Sequence, residues 1–242
     1  MRVSKLATLI SLSLALAAGP ALAQQNIEKV FGGITAEAGQ DYGSLESVNG
    51  GITIREGATV RSAETVNGGI SIDDKAKVGS AEAVNGGISL GADASAGSIE
   101  TVNGGINLDR NAQVENDVET VNGGIKAQES VRIGGNAETV NGAISLLGAE
   151  VGGGLTTTNG DITLARGAVV RGGILVEKPQ GNWWRTGDQR KPRIVIGANS
   201  TVQGTLVFER EVELLVHTSA KHGADTGAPA VPFTDELPPR RD

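Results

Sequence analysis

Apolar and polar positions recur with a period close to eighteen residues over most of the chain. Glu46-Ser-Val-Asn-Gly-Gly-Ile-Thr-Ile54 returns as Glu64-Thr-Val-Asn-Gly-Gly-Ile-Ser-Ile72, and again from Glu82, Glu100, Glu119 and Glu138. The asparagines fall at Asn49, Asn67, Asn85, Asn103, Asn122, Asn141 and Asn159, with spacings of 18, 18, 18, 19, 19 and 18. A coil therefore tolerates one extra residue where a corner bulges. A degenerate earlier copy, Glu28-Lys-Val-Phe-Gly-Gly-Ile-Thr35, puts Phe31 one period before Asn49.

Inside this period runs a second one of six. Ile52/Ile54, Ala58/Val60, Glu64/Val66 and Ile70/Ile72 are pairs at i and i+2, the spacing that points two side chains to one face of a strand. Three pairs per period predict three short strands per turn and a triangular cross-section. Gly after each Asn, doubled to Gly-Gly in five of the seven repeats, is expected to supply positive φ at the corners. A helix is excluded, because each recurring Gly-Gly would cost about 2 kcal/mol. The fold predicted is all-β: a single-stranded triangular β-solenoid of about eighteen residues per coil, each strand pairing with its equivalent about 4.8 Å away. Ile34, Ile52, Ile70, Ile88, Ile106, Ile125, Ile144 and Ile162 form one expected apolar column. Val30, Val48, Val66, Val84, Val102, Val121 and Val140 form another. No coil could fold alone, so stability propagates between neighbours.

The regular repeats span 24–177, with Ile162/Leu164, Ala168/Val170 and Ile174/Val176 keeping the pairing. A polar insertion occupies 178–193, terminal coils 194–222, and a Pro-, Gly- and Ala-rich segment 223–242 reads as a disordered tail. Residues 1–23 have the three zones of a signal peptide: basic Arg2 and Lys5, an apolar run from Leu6 to Ala18, and Ala21-Leu22-Ala23 before Gln24. That run of 13 residues is shorter than the roughly 20 a membrane-spanning helix needs. The mature chain is expected in the periplasm or outside the cell.

Composition agrees with a thin, continuous core. There are 36 Gly among 242 residues and only six aromatics, yet 38% of residues are hydrophobic, too many and too regular for disorder. Without Arg2 and Lys5, 19 basic residues face 28 acidic ones, a net charge of −9, which disfavours nucleic acid and anionic lipid as partners. There is no cysteine to lipidate or to form a disulfide.

Candidate chemistry lies in columns. The asparagines read as a structural ladder of side-chain amides. The glutamates Glu28, Glu46, Glu64, Glu82, Glu100, Glu119 and Glu138 would stack about 5 Å apart. Burial of seven carboxylates would be prohibitive, and apolar Leu45, Ala63, Ala81, Ile99, Val118 and Ala137 precede them. Those residues are therefore expected to turn in and the glutamates out, as a solvated acidic rim or as a row binding hard cations or a basic partner. Ser47, Thr65, Thr101, Thr120 and Thr139 form one hydroxyl column, and Thr35, Thr53, Ser71, Ser89, Ser145 and Thr163 another. Both are interrupted, by Ala83, Asn107 and Lys126, which argues against a flat ice-binding array. Trp183, Trp184 and Arg185 in the insertion suit recognition of a sugar or a protein, or cover a face of the solenoid. His217 and His222 lack the partners of a zinc or triad site. An enzyme is not expected, and no cofactor is implied.

The six-residue strand rhythm and the segment Ile196-Gly-Ala-Asn-Ser-Thr-Val-Gln-Gly204 resemble the bactofilins, polymer-forming bacterial β-helix proteins. The Val-Asn-Gly-Gly-Ile units are similar to adhesin-type repeat families of bacterial envelopes. The first resemblance implies a right-handed solenoid that assembles end to end, although bactofilins are cytoplasmic and this chain carries an export signal. A solenoid's ends are open strand edges unless capped, and the first repeat begins almost at Gln24. Self-association through that end is therefore expected. Two functional classes follow: a structural or self-assembling envelope protein, and an adhesin-like module that binds a glycan or a surface protein.

Overall fold

The computed structural model describes residues 25–179 and 190–235; the expected signal peptide lies outside them. Every regular element described is a β-strand. One eleven-stranded sheet takes a single strand from each coil, from Ile34–Ala36 through Ile106–Leu108 to Ala230–Phe233. A seventeen-stranded sheet covers the other two faces. Pairing is parallel throughout and in register, with Ile52 on Ile70 and Ile70 on Ile88, except for one bulge between Gln25 and Ile27 in the first strand pair. Eleven coils make a β-solenoid roughly 50 Å long at the usual strand spacing.

Inward positions explain the strands. In the coil that starts at Ile52 the buried side chains are Ile52, Ile54, Ala58, Val60, Ala63 and Thr65, and the next coil begins at Ile70. Three residues intervene at the first corner (55–57), two at the second (61–62) and four at the third (66–69). The expected third pair, Glu64/Val66, is therefore out of phase by one residue. Arg61 and Ser62 turn the second corner with one residue fewer than a strict six-residue rhythm supplies, and the residue omitted there reappears at the Asn-Gly-Gly corner. The valine column is consequently an outer stripe, half-buried from Val48 to Val140 and 58% exposed at Val30. The wall it was expected to form is built by Leu45, Ala63, Ala81, Ile99, Val118 and Ala137, all fully buried.

The short second corner also fuses two faces into one strand. Thr59–Asn67, Lys77–Asn85 and Ser95–Asn103 each run nine residues. The nineteen-residue coils add their extra residue at this corner, as Glu115-Asn116-Asp117, and the strand splits into Gln113–Val114 and Val118–Thr120. Polar side chains satisfy the displaced backbone. Asp117 Oδ1 accepts from Asn136 N at 2.7 Å, and Asn136 Oδ1 accepts from Gly154 N at 2.8 Å.

Positive φ appears at the first corner rather than after Asn. It falls once per coil on Gly39, Gly57, Lys75, Asp93, Asn111, Ser130 and Gly148. The glycine after each Asn is required by close approach instead: a Cβ on Gly68, Gly86, Gly104, Gly123 or Gly142 would overlap the carbonyl oxygen of the glycine one coil earlier.

The segment expected to be a disordered tail from 223 is ordered through residue 235. Asp225–Thr226 pairs with Leu206–Phe208, and Ala230–Phe233 with Glu213–His217. Together they complete an eleventh coil, so the terminal coils extend beyond 222. Its core positions shrink or become polar: Val202 is followed by His222, Leu206 by Asp225, Leu214 by Ala230 and Val216 by Pro232. A closing coil of this kind ends an apolar core in water.

Candidate functional site

The columns fall on three surfaces. On the seventeen-stranded sheet, Glu28, Glu46, Glu64, Glu82, Glu100, Glu119 and Glu138 pair directly, rung on rung. They point outward, as the phase of the strand requires, and from Glu46 to Glu138 they are half-buried. The column then loses its charge, continuing as Thr156, Leu175 and Val207.

Burial and neighbouring carboxylates hold four of these carboxyls, Glu46, Glu82, Glu100 and Glu119, above the ordinary range. At Glu46 the cause is burial first, then Glu64 and Glu28; at Glu82 burial, then Glu64 and Glu100; at Glu100 burial, then Asp117. Glu119 is pushed up to about 7 by burial, then by Glu100, Glu138 and Asp117. Every charge acting on these four is another carboxylate. Among the described residues no three His, Asp or Glu side chains converge closely enough to hold a metal ion. The column presents single carboxylates spaced one rung apart.

The asparagine column is a continuous hydrogen-bonded ladder. Asn67 Nδ2 donates to Asn49 Oδ1 at 3.1 Å, and the pattern repeats in one direction to Asn159, whose Nδ2 donates to Asn141 Oδ1 at 2.8 Å. At the first rung Asn49 Nδ2 donates to the Val30 carbonyl. At the last, Arg210 donates to Asn159 Oδ1 at 2.7 Å and to the Thr158 carbonyl at 3.0 Å. Burial lowers the Arg210 guanidinium below its usual range. Its position 51 residues after Asn159, beyond the insertion, hides this terminal donor from a reading of the repeat.

One hydroxyl column is inside the rod. Thr65, Thr101, Thr120, Thr139 and Thr157 are buried. Thr65, Thr101, Thr120 and Thr139 donate to Gly50, Gly86, Gly104 and Gly123 carbonyls at 2.8–2.9 Å. Buried hydroxyls need such partners, so this column stitches corners and presents nothing to a ligand. The other, Thr35, Thr53, Ser71 and Ser89, lies on the outer face of the eleven-stranded sheet and continues as Asn107 and Lys126. There an open groove of about 710 Å³ is lined by Ser71, Ser89, Asn107 and Lys126, with Asp74 and Asp109 among its acidic residues.

Trp183, Trp184 and Arg185 lie outside the described residues. The two ends of the insertion are tied to the rod. Arg190 pairs with Asp161, and Lys191 with Glu211 at 2.8 Å. Arg193 pairs with Glu213 at 3.3 Å, and Lys178 N donates to Glu209 at 3.1 Å. The histidines do structural work: His217 bonds Ser219 Oγ at 2.8 Å and packs edge-on against Phe233, while His222 Nδ1 meets the Gly223 carbonyl at 2.7 Å.

The class these features define is a parallel β-solenoid, a rod of stacked three-sided coils. No family model, curated protein or solved structure matches the chain. Among the described residues no helix is long and apolar enough to cross a membrane.

Proposed function

We propose that this chain is an exported, non-enzymatic structural rod of the bacterial cell envelope that self-associates. The observation that carries this reading is the uniformity of the coils. The Glu and Asn columns each repeat one residue type for seven rungs, an arrangement that builds a straight, stiff surface. The resemblance of the strand rhythm to the polymer-forming bactofilins supports the same reading, and the basic, apolar and Ala-Leu-Ala zones of residues 1–23 support export. Fractionation of cells producing the protein tests it. The rod is expected in the envelope fraction, trimmed before Gln24; an untrimmed protein in the cytosol overturns the proposal.

A second reading, an adhesin-like module for a glycan or surface protein, is favoured by the tied base of the insertion. Four polar contacts anchor residues 178 and 190–193 to the rod, as a loop carrying a recognition site requires. Replacing Trp183 and Trp184 together by Ala abolishes retention on the cell surface with unchanged melting under this reading. Retention that survives the double substitution rejects it.

A further inference from the structure

The two ends of the rod differ, and the difference bears on how copies meet. At the C-terminal end the edge is blunt. Its strands are Lys221–His222, Asp225–Thr226 and Ala230–Phe233. The first two are very short; the third contains Pro232, which has no N–H to donate. Asp225 and His222 stand in core columns at that end. Short edge strands, proline and inward charges are the devices that stop a sheet from pairing with another chain.

The N-terminal end carries a long edge. Gln25–Phe31 is seven residues, and among the described residues it pairs only with Asp41–Asn49, with one bulge between Gln25 and Ile27 and a regular run from Ile27 to Phe31. Ile34–Ala36 pairs only with Ile52–Ile54. The core beneath is closed by Tyr42, buried in the column of Val60, whose hydroxyl accepts from Glu37 N at 3.1 Å. Lys29 stands in the column of Ser47 and Thr65, but its Nζ is turned aside to the Gly33 carbonyl at 2.9 Å. Val30 and Phe31 are 58% and 78% exposed, two of the four large apolar side chains exposed among the described residues. Phe31 is the rung on which the asparagine ladder begins.

We infer that the partner of this edge is the same edge of a second copy, so that two rods join N-terminus to N-terminus and stop there. A head-to-tail filament would need the C-terminal coil to accept a strand, and its short strands, Pro232 and Asp225 oppose that. Like ends meeting about a two-fold axis form a closed, isologous contact. The inference deepens the self-association reading and rests on it: the product is a pair of opposed rods, roughly 100 Å long at the usual strand spacing.

The test uses protein exported by its host, its N-terminus read by mass spectrometry, examined by light scattering and negative-stain microscopy from low micromolar to near-millimolar concentration. The expected result is a twofold rise in mass and rods of doubled length. Phe31→Asp with Val30→Lys restores the single mass with unchanged melting, both side chains being exposed; Val231→Lys, an exposed position at the other end, leaves the pair intact. A monomer throughout, with or without residues 1–24, overturns the inference. Filaments longer than two rods, or pairs broken by Val231→Lys and not by Phe31→Asp, also overturn it. A monomer found in the envelope fraction would sink the pairing alone and leave the structural reading standing.

Discussion

Raising the pH from 5 to 8 should weaken this rod, and Glu119 should account for much of the loss. In the unfolded chain its carboxyl titrates near 4.5; in the rod burial and the stacked Glu100 and Glu138 push it up to about 7. The folded state therefore binds the proton more tightly. The stability this contributes is complete below about pH 4.5 and is lost as pH rises through about 7. At about 1.4 kcal/mol for each tenfold change in proton affinity, the ceiling is near 3 kcal/mol. The side chain is partly exposed, and solvent screens most of that and leaves about 1 kcal/mol. For a chain of this size such a change moves the melting temperature by about 2–4 °C. Glu46, Glu82 and Glu100 act in the same direction. Calorimetric melts at steps from pH 5 to 8 measure the slope. Glu119→Gln should flatten it and raise the melting temperature at pH 8 while changing little at pH 5. A melting temperature that is level or rising across this window, or a Gln variant less stable at pH 8, would refute the reasoning.

Three further outcomes are expected. Ala83 interrupts the buried threonine column between Thr65 and Thr101; Ala83→Thr should add about 1 kcal/mol in a urea melt by giving the Gly68 carbonyl a hydroxyl donor. Gly104→Ala should cost about 2–3 kcal/mol, because its Cβ would overlap the Gly86 carbonyl that Thr101 already bonds. Gly105→Ala, whose nearest contact is an ordinary 3.4 Å, should cost clearly less in the same assay. Arg210→Ala leaves Asn159 Oδ1 and the Thr158 carbonyl without this donor; a loss of about 1 kcal/mol is expected, with faster amide exchange around residues 158–160.

Legibility was uneven for physical reasons that particular residues show. The isoleucine column could be read directly, because Ile at an inward strand position has no competing explanation in a chain so poor in large side chains. The asparagine ladder was equally plain, since an amide both donates and accepts and so can stack on copies of itself. The closing coil was not legible. Residues that end a core in water must be small or polar, and His222, Asp225, Ala230 and Pro232 have the composition of a disordered tail. Only the pairing of Ala230–Phe233 with Glu213–His217 separates the two.

The valine column is the more instructive error, because the sequence contained what was needed to avoid it. Hydrophobicity alone assigns Val48, Val66 and Val84 to the interior, although Glu64 was expected to turn out and Ala63 in, and a six-residue rhythm pairs Glu64 with Val66. Two residues apart on one strand, they must share a face. Turning a half-exposed valine outward sacrifices part of about 1.5–3 kcal/mol of burial, whereas burying an unpaired carboxylate costs far more. The charge therefore decides the phase of the strand, and the valine follows it out. That puts Ala63 and Thr65 inside, which explains why the narrow core uses such small side chains at this wall and why the threonines have carbonyls to bond. A repeat that places an acid and an aliphatic at i and i+2 should be phased by its acid, with the apolar column sought one residue earlier.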